Sequence, residues 1–321
     1  MDFKRAMVTG GAGFIGSHIV KELLGMGVKV VCVDDFSAGK NENVAPFRSN
    51  SNFMEAKCDI TDYDALKKHF SFTNVDVVFH NAASKKTVCL KDPRRDLEVN
   101  AKGMFNILEL SRDFGVKKVV VASTGSVYGE AIYLPQDEKH PTEPTSFYGV
   151  SKLAAEKYAL LYSREHNLDV TILRYFHVYG PRQDDSDAGG VVSIFLKRAL
   201  SNEPITIFGD GSQQRSFTYV RDVVRINMLA ATSPKTKGEI YNCALGSNIT
   251  ISKLVDHIIF ITGKHELEVK YLDWTPGDIK VFDVDNSKLR ELGFEFKTYF
   301  KAGMDETLRW MRLNLVRGGS K

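Results

Sequence analysis

Tyr148 and Lys152, one helical turn apart in this 321-residue chain, form the pair with the clearest capacity for chemistry. At i, i+4 both side chains project from one helix face. An ammonium beside a phenol favours the phenolate and draws its pKa below the ordinary value of about 10, which makes a tyrosine a usable base near neutral pH. Two unrelated surface residues on a helix would show the same spacing. Upstream, in VVVASTGSVYGE, Ser123, Thr124 and Ser126 could hydrogen-bond a substrate hydroxyl, or simply form a turn. Near the N-terminus, Gly10, Gly13 and Gly16 make a G-x-x-G-x-x-G run between an apolar segment and a helical pattern. Without Cβ atoms the backbone can curl and a pyrophosphate can approach its N–H groups. The turn, with Phe14 and Ile15 inside it, therefore reads as dinucleotide-binding; the alternative is a structural strand-to-helix turn. Asp34, eighteen residues past Gly16, ends the next apolar run. A carboxylate there can accept both adenosine ribose hydroxyls and would repel a 2′-phosphate, which selects NAD over NADP. Asp35 adds negative charge, and no arginine follows immediately. Asp59, with Ile60 beside it, is placed to touch the adenine edge, or else to serve as a helix cap or turn residue.

Side chains this far apart in sequence meet only if the intervening elements end at a common edge. Short apolar runs at 4–9, 28–33, 53–58, 75–79, 116–122 and 170–174 read as buried strands, and helical spacing at 14–26, 63–70, 97–114 and 148–165 separates them. Repeated βα units of this length predict an α/β fold. It is a doubly wound parallel sheet of the Rossmann type, with helices on both faces and a ligand crevice at the carboxyl ends of its strands. Residues 1–175 thus read as an NAD-binding domain. After Arg174 the rhythm loosens through GPRQDDSDAGG, a loop by composition. A helix at 191–200, a strand at 205–208 and a helix at 222–231 follow. Residues 176–321 read mainly as a smaller mixed α/β substrate-binding lobe, with 222–243 packing back on the first domain.

Hydrophobic residues at 43% and charged residues at 26% describe an ordinary globular chain and exclude global disorder. A net charge of +3 is too balanced for a nucleic-acid or membrane-surface footprint, and no run of about 18 apolar residues is present. Cys32, Cys58, Cys89 and Cys243 are scattered, with neither C-x-x-C nor zinc-type spacing, so no metal is expected. They could form two disulfides, but a chain of this size does not need them. Buried free thiols in a cytoplasmic protein fit better.

The segments VTGGAGFIGSHIV, HNAASKK, STGSVYG, YGVSK and LRYFHVYGPRQ, in this order, resemble the extended short-chain dehydrogenase/reductase superfamily, and within it the nucleotide-sugar epimerases and dehydratases. The resemblance continues through GDGSQQRSFTYVRDVV and PGDIKVFDVDNSK, almost end to end. It implies Tyr148 as catalytic base, Lys152 as its electrostatic partner and nicotinamide-ribose ligand, and Thr124 as the hydroxyl partner of the sugar, with Ser126 beside it. It further implies Lys85 and Asn100 on the cofactor side and Phe176 lining the nicotinamide and sugar. Arg215 would clamp the sugar-nucleotide diphosphate, as a planar guanidinium suits paired phosphate oxygens. Asp278 would lie near the nucleotide end of the substrate. His177 stands where such proteins usually carry asparagine against the diphosphate. Thr275 stands where an arginine often makes a second phosphate contact. Phe282 aligns with a position that gates pocket size, and a large ring there favours a plain hexose over a sugar N-acetylated at C2.

The residues after Thr124 narrow the implied reaction. Related 4,6-dehydratases carry Thr-Asp-Glu and sugar-acid decarboxylases Thr-Ser-Glu, whereas this chain has Thr124, Gly125 and Ser126. Elimination and decarboxylation would lack their second acid–base group. The resemblance then implies an NAD-dependent 4-epimerase acting on a UDP-hexose through a transient 4-keto sugar, and a homodimer built on the helices near 97–114 and 148–165. A UDP-glucuronate or UDP-N-acetylhexosamine 4-epimerase is the alternative, followed by a nucleotide-sugar reductase or dehydratase.

Overall fold

The apolar run Arg5–Thr9 forms β1, buried beyond its first residue, and the glycine turn leads from it into α1 (Phe14–Gly25), whose Ile19, Val20, Leu23 and Leu24 face the core. We describe a computed structural model of the chain, which covers residues 3–84, 89–187, 189–274 and 279–318. The βα alternation continues through β2 (Lys29–Asp34), a short α2 (Asn41–Val44), β3 (Phe53–Lys57), α3 (Tyr63–Thr73) and β4 (Val77–His80). The next helix runs as α4 (Pro93–Leu97), a π-helical turn over Glu98–Lys102 and α5 (Gly103–Asp113). It begins four residues before the predicted 97, because Asp92 caps it and Pro93 takes the first-turn position that needs no N–H partner. β5 (Lys118–Thr124), α6 (Phe147–Glu165) and β6 (Val170–Tyr175) complete the series.

Strands β3-β2-β1-β4-β5-β6 lie in that order with parallel pairing, and β11 (Glu239–Cys243) joins beyond β6. This is the predicted doubly wound sheet. Its strand order reverses between β1 and β4, which opens the crevice where such folds take their ligands. The apolar runs are continuous, not alternating, because both faces are covered; Met7, Val31, Val78, Val119 and Ile172 pack with Leu66, Phe70, Ile107 and Ala155.

The chain divides into two compact units. The first takes the residues up to Gly129, Pro141–Tyr175 and Val224–Asn242; the second takes Glu130–His140, Phe176–Val223 and the residues from Cys243 on. The second unit holds small two-stranded sheets. β7 (Val178–Tyr179) pairs with β10 (Thr218–Tyr219), β8 (Ile205–Phe208) with β13 (Val269–Leu272), and β9 (Gln214–Ser216) with β12 (Asn248–Thr250). Its core is aromatic: Tyr179 packs against Phe217, Tyr219 and Phe300. All four cysteines are buried free thiols. Among the described residues no helix is long and apolar enough to cross a membrane, and no cluster of three or more His, Cys, Asp or Glu could hold a metal ion.

Candidate active site

Glycine is required at the β1–α1 turn for reasons the geometry makes explicit. Gly10 has φ +65°, and a Cβ on it would lie 2.7 Å from the Ala82 nitrogen. A Cβ on Gly16 would lie 2.1 Å from the Gly10 carbonyl oxygen, so the helix could not approach the turn. Gly13 is the N-cap of α1, with no side-chain cap and no acidic residue in the first turn. The helix start, with Phe14 and Ile15, therefore offers its N–H groups and positive dipole end to an anion. At the end of β2, Asp34 is only 6% exposed and accepts the Ala12 and Phe36 N–H groups, each at 2.9 Å. Burial raises its pKa, and those backbone bonds oppose the rise. Both amide atoms of Asn81, in the β4 loop, are buried without a partner. An open helix start, a carboxylate at the end of β2 and an orphaned amide beside the strand-order switch fit a pyrophosphate-linked dinucleotide.

Asp59 forms a turn through the Thr61 N–H (2.8 Å) and pairs with Arg95 at 2.7 Å. Burial alone would raise its carboxyl, but the bonds from Thr61 and Arg95 outweigh it and leave the pKa below the usual range. Arg95 also reaches Asp35 at 3.3 Å. No arginine follows Asp35 immediately in sequence, yet the fold brings one from sixty residues away. Ile60 is buried, and its carbonyl accepts the Asn106 amide at 2.9 Å. Lys85, Thr275 and Asp278 lie outside the described residues.

The Tyr148–Lys152 pair sits in the first turns of α6, whose N-cap Ser146 accepts the Gly149 N–H. Gly149 allows the helix to touch the turn after β5, because a Cβ there would lie 2.6 Å from the Ser126 carbonyl oxygen. That approach brings the Tyr148 phenol near enough to Thr124 for the hydroxyl to favour its ionised form. The Thr124 hydroxyl also accepts the Ser126 N–H at 3.1 Å and lies 3.3 Å from the Ser126 hydroxyl. The third candidate hydroxyl, Ser123, turns away from this group. It is buried and donates to Glu156 at 2.5 Å.

The expectation that Lys152 draws the phenol down is not what the protein's own groups do. Burial pushes Tyr148 up to about 12; the Thr124 hydroxyl opposes this, and Asp96 and Cys89 add to it. Lys152 is itself drawn down to about 8 by burial, against Glu156 and Asp96. Its ammonium donates to the Ala122 carbonyl at 2.6 Å, which turns its charge toward the end of β5. Glu156, one turn past Lys152, also accepts two bonds from Arg174, at 3.0 and 2.7 Å, and Arg174 stacks on Tyr128 at 4.6 Å. Glu156 is not among the residues expected from sequence, although an acid at Lys152 plus four is a legible signal. Asn100 lies in the π-helical turn, where such irregularities often mark functional sites. Its carbonyl accepts the Ser84 N–H at 2.9 Å, and its amide donates to Asp96 (2.9 Å) and Ser151 (3.0 Å).

In the second unit, Phe282 gathers three of the expected substrate residues. Its ring lies 6.0 Å from Phe176 and 5.0 Å from His177, and the Arg215 guanidinium stands 5.4 Å over it. Arg215 is buried and donates to the Gln214 and Lys280 carbonyls at 2.9 and 3.3 Å. His177 has φ +37°, a conformation asparagine tolerates better than most residues, which gives a backbone reason for the asparagine usual at this position.

Residues 6–244 match the model of the NAD dependent epimerase/dehydratase family. The UDP-glucose 4-epimerase of Thermotoga maritima, solved with UDP-glucose, superposes with a TM-score of 0.92 at 38% identity, over 97% of this chain and 99% of that one. The UDP-glucose 4-epimerase of Mycolicibacterium smegmatis is 36% identical over 96% of this chain and 98% of its own. A UDP-N-acetylglucosamine 4-epimerase from Methanobrevibacter ruminantium, solved with UDP-N-acetylmuramic acid, gives a TM-score of 0.91 at 35% identity, over 98% of this chain and all of that one. These proteins align with this chain along nearly its whole length, and the chain belongs to the NAD dependent epimerase/dehydratase family.

Proposed function

We propose that this chain is an NAD-dependent UDP-hexose 4-epimerase interconverting UDP-glucose and UDP-galactose. The observation that carries the choice of reaction is the neutral end of β5. Thr124 and Ser126 offer only hydroxyls beside Tyr148, and the carboxylate that acts on the phenol, Asp96, is bound by Asn100. A site that must lose water or CO₂ needs a second exposed acid–base group; a site that moves one proton on and off one oxygen does not. Similarity to UDP-glucose 4-epimerases supports the substrate.

Bound NAD, held by the glycine turn, Asp34 and Lys152, supplies the hydride acceptor and donor and, when oxidised, a positive ring that favours the Tyr148 phenolate. Tyr148 takes the proton from the sugar C4 oxygen and later returns it. Thr124 orients that oxygen against the phenol, and Lys152 keeps positive charge beside the proton path. Arg215, His177, Phe176 and Phe282 hold the sugar nucleotide, with Arg215 on the diphosphate.

Incubating the purified protein with a panel of UDP-sugars and no added cofactor tests this reading. UDP-glucose should equilibrate with UDP-galactose with no net NADH formed or consumed; turnover of none of the sugars, or stoichiometric NADH consumption, overturns it. The N-acetylhexosamine reading stays in the panel because the neighbour solved with UDP-N-acetylmuramic acid is almost as similar. The buried free thiols suit a reducing cytoplasm. A homodimer is supported by exposed apolar side chains on α5 and α6, among them Phe105, Val150, Tyr158 and Leu161.

A further inference from the structure

We propose that Arg95 is an arginine able to grip a 2′-phosphate, held out of use by Asp35 and Asp59, which makes those two carboxylates specificity-determining residues for NAD over NADP. The inference rests on the dinucleotide reading of this site, with the adenosine ribose at Asp34. Asp34 is the last residue of β2 and pairs in register with Lys57, the last of β3. The Cys58 N–H donates to the Asp34 carbonyl at 3.0 Å. Asp35 and Asp59 therefore stand one and two residues past the carboxyl ends of neighbouring parallel strands, the edge where such a sheet takes its ligand. Arg95 reaches both from α4. Its Nη2 lies 2.7 Å from Asp59 Oδ2 and 3.3 Å from Asp35 Oδ2, and its Nη1 donates to the Thr61 hydroxyl at 3.5 Å.

An acid at the end of β2 suits the free ribose hydroxyls of NAD, and an arginine nearby suits the 2′-phosphate of NADP. This chain carries both. A guanidinium grips paired phosphate oxygens through one of two forks, Nη1 with Nη2 or Nε with Nη2. Both forks need Nη2, and here Nη2 serves two carboxylates. Among the described residues, Arg95 is the cation in ion pairs with Asp35 and Asp59. The three side chains are 30% to 34% exposed, so a ligand can reach the guanidinium once it is released. Ion pairs this open contribute little to stability, so the carboxylates can be changed without loss of the fold. Charge points the same way. Asp34, Asp35, Asp59 and Arg95 carry a formal net charge of −2, which repels a 2′-phosphate; with Asp35 and Asp59 neutral the same group carries none.

The test equilibrates the purified holoprotein with mixtures of NAD and NADP, desalts and denatures it, and quantifies both dinucleotides released. Their ratio reads relative affinity, so effects on the adenosine that both share cancel. In Asp35→Asn/Asp59→Asn, which keeps the side-chain shapes and removes both charges, the NADP share relative to NAD should rise about tenfold or more over the wild type. Adding Arg95→Met should abolish that rise. Arg95→Met in the otherwise wild-type chain should move the ratio by less than about threefold, because a guanidinium already occupied supplies no grip to lose. An unmoved ratio in the double variant overturns the proposal. So does a rise that survives Arg95→Met, or an equal loss from Arg95→Met in both backgrounds, since either is charge balance without a guanidinium grip. If the double variant does not fold, Asp59→Asn alone, which weakens the 2.7 Å contact and keeps an acceptor for the Thr61 N–H, is read the same way. Failure of both to fold assigns the pair to the fold and overturns the proposal. The readout is occupancy and not sugar turnover, which separates the two readings. The expected shifts without turnover of any UDP-sugar sink the epimerase reading alone, whereas epimerisation with an unmoved ratio sinks the Arg95 proposal alone. A chain that retains neither dinucleotide sinks both.

Discussion

Tyr148, the base we propose, has surroundings that resist its ionisation, and that defines what its removal should do. Tyr148→Phe keeps the ring and the packing and deletes only the oxygen that Thr124 engages. It should retain bound NAD, measured by denaturing the protein and identifying the released dinucleotide, and lose about 10²–10⁴-fold in turnover. Near-normal turnover would move the chemistry to another residue. Phe282 carries a second residue-scale prediction. As a gate it should slow the N-acetylated sugars, since overpacking of about 1–3 kcal/mol corresponds to one to two decades in rate. Its ring also supports Arg215 from below at 5.4 Å, a cation–π contact worth about 0.5–2 kcal/mol. Phe282→Ser should therefore raise KM for every UDP-sugar and, on top of that, shift relative kcat/KM toward the N-acetylated pair. A ratio of kcat/KM values that does not move rules out the gate, while a raised KM alone leaves Phe282 as a support for Arg215.

At the scale of elements, the site depends on how closely α6 meets the end of β5. Gly149 sets that distance, because an added Cβ would meet the Ser126 carbonyl oxygen at 2.6 Å and Pro144 Cβ at 2.7 Å. Alanine would gain about 1 kcal/mol of helix propensity, but the backbone contact cannot give way as a flexible side chain would. Gly149→Ala should lift the first turn of α6 and separate Tyr148 from Thr124. We expect a lower melting temperature, by a few degrees, and a loss of turnover out of proportion to it. Calorimetry and kinetics on the same preparation check this; a stabilised, fully active variant would show that the turn after β5 yields freely.

At the scale of the whole molecule, α5 and α6 leave aromatic and aliphatic side chains exposed. Phe105 meets Tyr158 edge-on at 5.6 Å, and Leu161 and Val150 are 42% and 53% exposed. A patch of this kind on a globular protein calls for a partner. A second copy is the occupant the homodimer reading names, and a stable pair would bury about 800 Å² per partner. Leu161→Glu, on the outer face of α6, should convert a dimer to monomer in sedimentation measurements without lowering secondary-structure content. A wild-type chain that sediments as a monomer at micromolar concentration would refute the dimer.

What the sequence determined by itself was local or periodic. The glycine turn, the apolar strands, the Tyr148–Lys152 spacing and the Thr124–Gly125–Ser126 run each depend on residues within one or two turns of one another, so their types and spacing carried the fold class and the candidate base. The tertiary structure decided everything that depends on distance across the fold. Arg95 reaches Asp35 and Asp59 from sixty and thirty-six positions away, and Ser151 meets Asn100 across fifty-one, separations that no period connects. Burial decided the charges. The spacing of Tyr148 and Lys152 pointed to a lowered phenol, but desolvation acts on both groups, raising one and lowering the other, and Lys152 turns its ammonium to Ala122. Desolvation depends on how much of the chain packs around a group, a property of the folded whole that the order of its residues does not display.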